Sequence, residues 1–292
     1  MRFFVKLLTI HFIIESVMSY QCPICQCVLS FSTQRWHCHN NHSFDLAKEG
    51  YVNLMPVQHK HSKEPGDNQL MMQSRRAFLA SGHYSQLSDA VNQIFLSNLP
   101  DTAQNILDIG CGEGYYTSAL ATHLKNKQDI QTFGIDIAKG AVKSAAKCYK
   151  HVNFCVASSY RLPFMTNSID GVLRIYAPSE GKELIRMTSD NAVLITVTPA
   201  PNHLKQLKAL IYSDVKLHSD EIEVIDGFVL QHREQLSYVM ELSKTERLDL
   251  LQMTPFAWRA NDQVRKQLSD IEHWHCDADF YISVYRKKSD IS

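Results

Sequence analysis

Three glycines at alternate positions, Gly110, Gly112 and Gly114, follow the run Ile106-Leu107-Asp108-Ile109. The run reads as a buried strand. The glycines after it make a turn whose backbone can approach a ligand closely and take positive φ without steric cost. In an open α/β sheet, ligands bind in the crevice at the carboxyl ends of the strands, where this turn falls. The spacing is G-x-G-x-G and lacks the G-x-x-G step of dinucleotide enzymes. A second apolar run, Thr132-Phe133-Gly134-Ile135, ends in Asp136, 22 residues after Gly114. A carboxylate there can accept from both hydroxyls of a ribose. The blander role for Asp136 is to cap a helix starting near Ala138.

A second constellation lies near the amino end. Cys22-Pro23-Ile24-Cys25 is a C-x2-C knuckle, followed by Cys38 and, after three intervening residues, His42. The pattern C-x2-C-x12-C-x3-H offers two ligand pairs separated by a hairpin's length of chain, which suits tetrahedral Zn²⁺. Cys27, His37 and His39 are spare candidates, and the x3 spacing favours Cys38 with His42. Four filled positions leave no place for a catalytic water, so the predicted zinc is structural, stabilising a segment too small to bury its own core. Gln34 to His37 is the expected second hairpin arm.

These groups need a frame. Beyond the two strands already named, Asn153–Ala157, Ser168–Tyr176 and Val193–Val197 read as the third, fourth and fifth strands. Phe280–Arg286 alternates and reads as the last. A loop, Ser158-Ser159-Tyr160-Arg161-Leu162-Pro163-Phe164, follows the third strand. Asn68 to Leu79 reads as a helix capped by Asp67 or Asn68, with Leu70, Met71, Phe78 and Leu79 on or near its buried side. The polar, breaker-rich stretch Lys60 to Asp67 precedes it. Met253–Arg259 is aromatic and basic, suited to stacking on a base or to packing.

The chain has 292 residues, 45% of them hydrophobic, with zero formal net charge. That is enough for a full α/β domain plus one small module. Zero balance argues against a general nucleic-acid coat and leaves room for a local basic patch. Cys111, Cys148, Cys155 and Cys276 are scattered in apolar context and read as small core residues. The first seventeen residues imitate a signal peptide, but their apolar run is too short to span a bilayer. No small-x-small cleavage site follows. Met18 is the expected natural start, with residues 1–17 a misassigned extension.

The glycine turn resembles motif I of the S-adenosylmethionine (SAM) dependent methyltransferases, and Ser158–Phe164 resembles their adenine-flanking segment. The whole order of parts is more specific. The ribbon runs into Phe44-Asp45-Leu46-Ala47-Lys48-Glu49-Gly50-Tyr51-Val52-Asn53-Leu54, then Arg75-Arg76-Ala77-Phe78-Leu79, Gly82-His83-Tyr84 and Leu107-Asp108-Ile109-Gly110-Cys111-Gly112-Glu113-Gly114-Tyr115-Tyr116-Thr117. From Met18 to about Arg286 this resembles the 23S rRNA (guanine-N1)-methyltransferase family of the RlmA/RrmA type. The resemblance implies an α/β, class I, Rossmann-like SAM-dependent methyltransferase fold with an N-terminal zinc-ribbon module. The expected divisions are 1–17, an 18–60 ribbon, a 61–84 linker and lid, and an 85–292 SAM-binding domain. It implies Cys22, Cys25, Cys38 and His42 as zinc ligands. Tyr84, Tyr116, Thr117, Asp136 and His203 would lie around SAM, with Asp108, Gly110 and Gly112 at the turn. The implied substrate is a guanine in a 23S rRNA hairpin, received by a homodimer. A cytoplasmic location follows, since export would part the enzyme from SAM. One departure is visible: Thr188-Ser189-Asp190-Asn191-Ala192 stands where many relatives have a Lys-Pro-Gly-Gly turn.

Methylation at N1 needs a guanine out of its base pair and flipped from its stack, because N1 lies on the Watson–Crick edge. Charge spreads to O6 as the N1 proton leaves, so a donor near O6 would assist. Arg174-Ile175-Tyr176-Ala177-Pro178 lacks the Asn/Asp-Pro-Pro-aromatic motif of exocyclic amine methylation. Tyr176 is therefore the expected stacking or orienting group. Arg174 is the expected O6 partner, with a structural salt bridge as its alternative. No general base is evident. Two other readings compete: a small-molecule methyltransferase with a stabilising ribbon, and a non-catalytic RNA-binding protein that retains SAM.

Overall fold

The computed structural model describes residues 20–56, 68–125 and 130–288. The expectations for residues 1–17, for Lys60 to Asp67, and for Asp67 as a cap lie outside the described residues. Three short antiparallel strands open the described chain: β1 (Ser30–Ser32), β2 (Arg35–His37) and β3 (Ser43–Asp45). Then come β4 (Tyr51–Asn53), α1 (Gln69–Ala80), α2 (Ser85–Asn98), β5 (Asn105–Ile109), α3 (Tyr115–Leu124), β6 (Gln131–Asp136), α4 (Lys139–Cys148) and β7 (Asn153–Val156). The remainder is β8 (Ile169–Ile175), α5 (Gly181–Met187), β9 (Thr188–Pro199), α6 (Lys205–Ile211), β10 (Phe228–Glu241), α7 (Lys244–Gln252), a 3-10 turn (Pro255–Trp258), α8 (Asp262–Asp270) and β11 (His275–Lys287).

Eight strands form one sheet in the order β10-β11-β9-β8-β5-β6-β7-β4. The strands from β9 to β4 run parallel, and β11 is antiparallel to both its neighbours. The chain steps from β5 to β6 to β7 on one side and restarts at β8 on the other. The crevice between the carboxyl ends of β5 and β8 is therefore the topological switch point. Central strands buried on both faces account for the near-continuous apolar runs. Ile106 packs on one face with Leu87, Val91 and Phe95 of α2. Leu107 packs on the other with Tyr20, Trp36 and Leu54 from the amino-terminal segment.

The amino-terminal strands thus share the main core. β4 extends the sheet as a parallel neighbour of β7, pairing Tyr51 with Phe154 and Asn53 with Val156. Tyr20 is buried, with its ring 5.0 Å from Trp36, 5.7 Å from Phe133 and 5.5 Å from Phe164. The stretch expected as linker is, where described, the packed helix α1, with Phe78 fully buried. Asn68 caps it, its side chain accepting from the Met71 N–H at 2.9 Å.

Two local expectations are corrected. Leu70 is 55% exposed, because α1 turns Met71, Ser74 and Phe78 inward and Leu70 lies off that stripe. The stretch Thr188–Ala192 is not a turn before a short strand. β9 already begins at Thr188, which pairs with Ile169, and the ladder resumes only at Gly171 with Val193. The additional residues are absorbed as an irregularity inside a longer strand. Among the described residues no helix is long and apolar enough to cross a membrane.

Candidate functional site

The glycine turn leaves β5 with φ of +74° at Gly110, +53° at Gly112 and +83° at Gly114. At Gly110 a Cβ would sit 2.5 Å from the Ala177 Cβ, so the turns after β5 and β8 meet there and only glycine fits. At Gly112 a Cβ would meet nothing within 4 Å, so that side of the turn is open. The Gly112 N–H donates to Asp136 Oδ2 at 3.0 Å, and the Ala138 N–H donates to Asp136 Oδ1 at 2.8 Å. Asp136 therefore clamps the turn and organises the entry to α4 together. An open glycine backbone beside a fixed carboxylate fits the adenosine part of SAM.

Beneath the turn, Asp108 is buried and accepts from the Thr117 hydroxyl at 2.5 Å. Burial raises the Asp108 carboxyl to about 7; the Thr117 hydrogen bond opposes this, while the charge of Asp136 adds to it. Both residues were expected around the cofactor, and both lie under the turn as its support. Above it, Arg76 of α1 forms an ion pair with Glu113 of the turn and donates to Ser144 Oγ at 3.0 Å. These bonds hold α1 across the glycine turn.

An aromatic wall continues from the turn toward β8. Tyr84 is buried, edge-on to Phe78 and Phe280, each 5.2 Å away, and 6.4 Å from the His203 ring. Tyr116, at the start of α3, packs into the same core and lies within electrostatic reach of Tyr84 and Tyr238. Tyr176 follows β8 with φ of +55°, a left-handed conformation that costs a non-glycine residue about 1–3 kcal/mol and gathers at functional sites. Its hydroxyl lies 3.4 Å from His203 Nε2. His203 Nδ1 accepts from the Asp279 N–H at 3.2 Å. Burial, with His218 and Lys208 nearby, lowers the imidazole to about 3, so His203 is neutral and carries its proton on Nε2. That proton points at the Tyr176 oxygen. The fold brings Gly110, Gly112 and Asp136 together at one end and Tyr84, Tyr116, Tyr176 and His203 together at the other.

Arg174 does not point into this gathering. It is buried, donates to Ser179 Oγ at 2.8 Å and forms an ion pair with Glu223. The salt-bridge alternative is the one seen, because the acidic segment before β10 lies against the end of β8. Glu223 and His218, which belong to that segment, were missed. A polar irregular stretch carries no local signal of where it docks. Trp258 is 73% exposed, while Met253 and Ala257 are buried and Phe256 packs against the core, so the Met253–Arg259 stretch packs inward and leaves the indole outward.

The metal constellation is compact. Cys22 Sγ and Cys38 Sγ each lie 3.5 Å from His42 Nδ1, and Cys25 Sγ lies 3.6 Å from Cys38 Sγ. All four ligand atoms fall within 4.8 Å of one another. Zn–S bonds of about 2.3 Å at tetrahedral angles require S···S edges of about 3.7 Å, so the donor set fits Zn²⁺ through His42 Nδ1. Two tight turns, with φ of +62° at Gln26 and +61° at Asn41, shape the knuckles. Cys27 stands outside, 3.7 Å from His39 Nε2.

Comparison with known proteins agrees with this geometry. Residues 20–63 match the zinc-ribbon family described as "RlmA, N-terminal", and residues 106–186 match a "Methyltransferase domain" family. A Bacillus subtilis protein named "Putative 23S rRNA (guanine-N(1)-)-methyltransferase YxjB" is 30% identical over 253 residues, covering 82% of this chain and 87% of that one. A Streptomyces fradiae protein named "23S rRNA (guanine(748)-N(1))-methyltransferase" is 28% identical, covering 89% and 94%. Among solved structures, the YcgJ protein of Bacillus subtilis superposes with a TM-score of 0.44 and 16% identity, over 68% of this chain and 98% of that one.

Proposed function

Because the chain belongs to the 23S rRNA (guanine-N1)-methyltransferase family, we propose that it moves the methyl group of SAM to N1 of a guanine in a 23S rRNA hairpin. The observation that supports this most is one core shared by two sites: a Cys3His ribbon packed through Tyr20 onto the sheet that carries the glycine turn. A small-molecule methyltransferase has no need of a ribbon built into its cofactor sheet.

The site residues take these roles. Gly110, Gly112 and Asp136 hold the nucleoside, with Asp108 and Thr117 as their support. Tyr84, Tyr116 and His203 wall the methionine end. When bound, SAM supplies an electrophilic methyl. The protein's own share is placement, since holding N1 in line with that methyl removes most of the entropic barrier. Tyr176 orients the base, its hydroxyl fixed by the His203 Nε2–H. Arg174, paired with Glu223, anchors the acidic segment at the rim. The ribbon positions the hairpin, the protein acts as a homodimer around it, and the setting is the cytoplasm.

Tritiated methyl transfer from SAM to unmodified 23S rRNA, followed by nucleoside analysis, tests the reading. It should yield 1-methylguanosine, and Cys22→Ser should abolish the product. SAM binding with no transfer to RNA would favour a small-molecule substrate.

A further inference from the structure

Between α6 and β10 the chain runs through residues 212–227 without regular structure, carrying five acids and one lysine. It is strapped across the face of β9, β11 and β10 that carries Thr196, Ser283 and Arg233. Arg233 donates to the Asp220 backbone oxygen at 2.9 Å and to its carboxylate at 3.2 Å, and the Tyr281 hydroxyl donates to the same carboxylate at 2.5 Å. The Tyr285 hydroxyl donates to the Glu223 carbonyl at 2.8 Å, and Arg174 holds the Glu223 side chain. Under the strap lies a cleft of about 270 Å³, lined by Thr196, Thr198, Ser283, His218, Glu221 and Glu223 among others.

We propose that this cleft seats the target guanine and that His218 Nε2 accepts the proton from N1. The inference rests on the rRNA reading above and supplies the base that reading lacks. The cleft is placed for it. The His218 ring lies 6.1 Å from His203, whose Nε2 faces Tyr176, and the cleft lies beside the end of β8, where Arg174 meets Glu223, on the sheet face opposite Phe280. Its volume suits a single base rather than a stretch of chain.

His218 Nε2 is buried with no hydrogen-bond partner among the described residues. An orphaned buried ring nitrogen of this kind calls for a partner. The other side of the ring meets the backbone of His203. Burial and Lys208 together lower the imidazole below its ordinary value, outweighing Asp279, so it is present as the free base near neutral pH. Arg233, Glu221 and Glu223 are the remaining charged groups at the cleft. The base edge matches as well. Guanine presents donors at N1 and at the 2-amino group, and the cleft offers a lone pair at His218 with carboxylates at Glu221 and Glu223. Adenine presents an acceptor at N1 and would meet these groups acceptor to acceptor.

The step balances. The bond from sulfur to the methyl carbon breaks and its electrons stay on sulfur. The N1–carbon bond forms, and the N1 proton passes to His218, which releases it to water after the product leaves.

The test uses the full-length zinc-loaded protein and a 23S hairpin transcript. His218→Gln keeps a polar group near Nε2 but no basic lone pair, and His218→Ala opens the space for a free imidazole. Both should lower kcat by about 100-fold or more, as loss of a general base does, with SAM and RNA affinities within about threefold of wild type. Added imidazole should restore turnover to His218→Ala in proportion to its neutral form. A kcat for His218→Gln within about fivefold of wild type overturns the assignment. So does a loss that imidazole does not relieve in His218→Ala. Transfer absent from the wild type itself counts against the rRNA reading, whereas transfer that survives in both variants counts against this inference alone.

Discussion

Tyr20→Ala probes whether the ribbon is part of the enzyme's core or a tethered accessory. Tyr20 is 2% exposed, and its ring touches Trp36 of the ribbon on one side and Phe133 and Phe164 of the sheet on the other. Removing an aromatic ring from such a site costs about 3–5 kcal/mol, from lost burial and the cavity left behind. At about 2–4 °C per kcal/mol for a domain of this size, the melting temperature should fall by roughly 6–20 °C. The same change loosens the loop expected to flank adenine. Gln21 N–H donates to the Pro163 carbonyl at 2.9 Å, and Arg186 ties Gln21 at 3.2 Å to the carbonyl of Leu162 at 2.8 Å. SAM affinity should therefore fall several-fold, and Tyr20→Phe should recover most of both losses. Calorimetry on zinc-loaded protein with SAM titration reads both quantities. A shift under about 3 °C with SAM affinity unchanged would falsify the shared-core reasoning, because it would mean the ribbon can detach without the sheet noticing.

Two further predictions concern the glycine turn. Burial raises Asp108 from its ordinary 3.8 to about 7, so folding takes up a proton between those values and stability falls as pH rises across that window. At about 1.4 kcal/mol per unit, the charged form costs up to about 4 kcal/mol above pH 7. Asp108→Asn should therefore gain melting temperature relative to wild type from pH 5 to pH 8, and a pH-independent difference between the two would contradict it. Gly110→Ala places a Cβ 2.5 Å from that of Ala177 at a φ of +74°. It should weaken SAM binding by tenfold or more in a direct titration, and wild-type affinity would show that the turn is not held against β8.

The chemistry-bearing ends of strands were legible because they are local. A run of apolar residues ending in Asp108 or Asp136 announces both the strand and the side chain at its tip. The ribbon was legible for the same reason, since ligand spacing is a property of a short stretch. What escaped was pairing between distant segments. Nothing around Tyr51 to Asn53 tells that they extend the main sheet beside a strand a hundred residues later. The long strand β10, which pairs with β11 from Phe228 against Lys287 to Glu241 against His275, was not foreseen. The acid that pairs with Arg174 escaped for the same reason, because Glu223 is distant in sequence and sits in a stretch with no periodicity to place it.

Two neighbouring histidines show how this fold divides proton work without invoking an ionised imidazole. At His203 the backbone N–H of Asp279 occupies Nδ1, which leaves Nε2 protonated and able only to donate. It cannot serve as a base, and its deep burial keeps it from becoming a cation. Its one productive act is to fix the Tyr176 oxygen, which turns that hydroxyl's own proton outward. His218 has the opposite arrangement, with Nε2 buried and unpaired. Burial lowers both imidazoles, and Lys208, near both rings, adds to it. A donor and an acceptor side by side, both neutral, are what guanine N1 methylation requires: a hydroxyl for the charge that gathers on O6 and a lone pair for the proton that leaves. The prediction that follows is a split in the pH profiles. His203→Gln, which keeps a donor, should retain the wild-type acid limb of kcat at a reduced rate, while His218→Gln should lose that limb altogether. If both variants keep it, the acid limb belongs to another group and the division of roles fails.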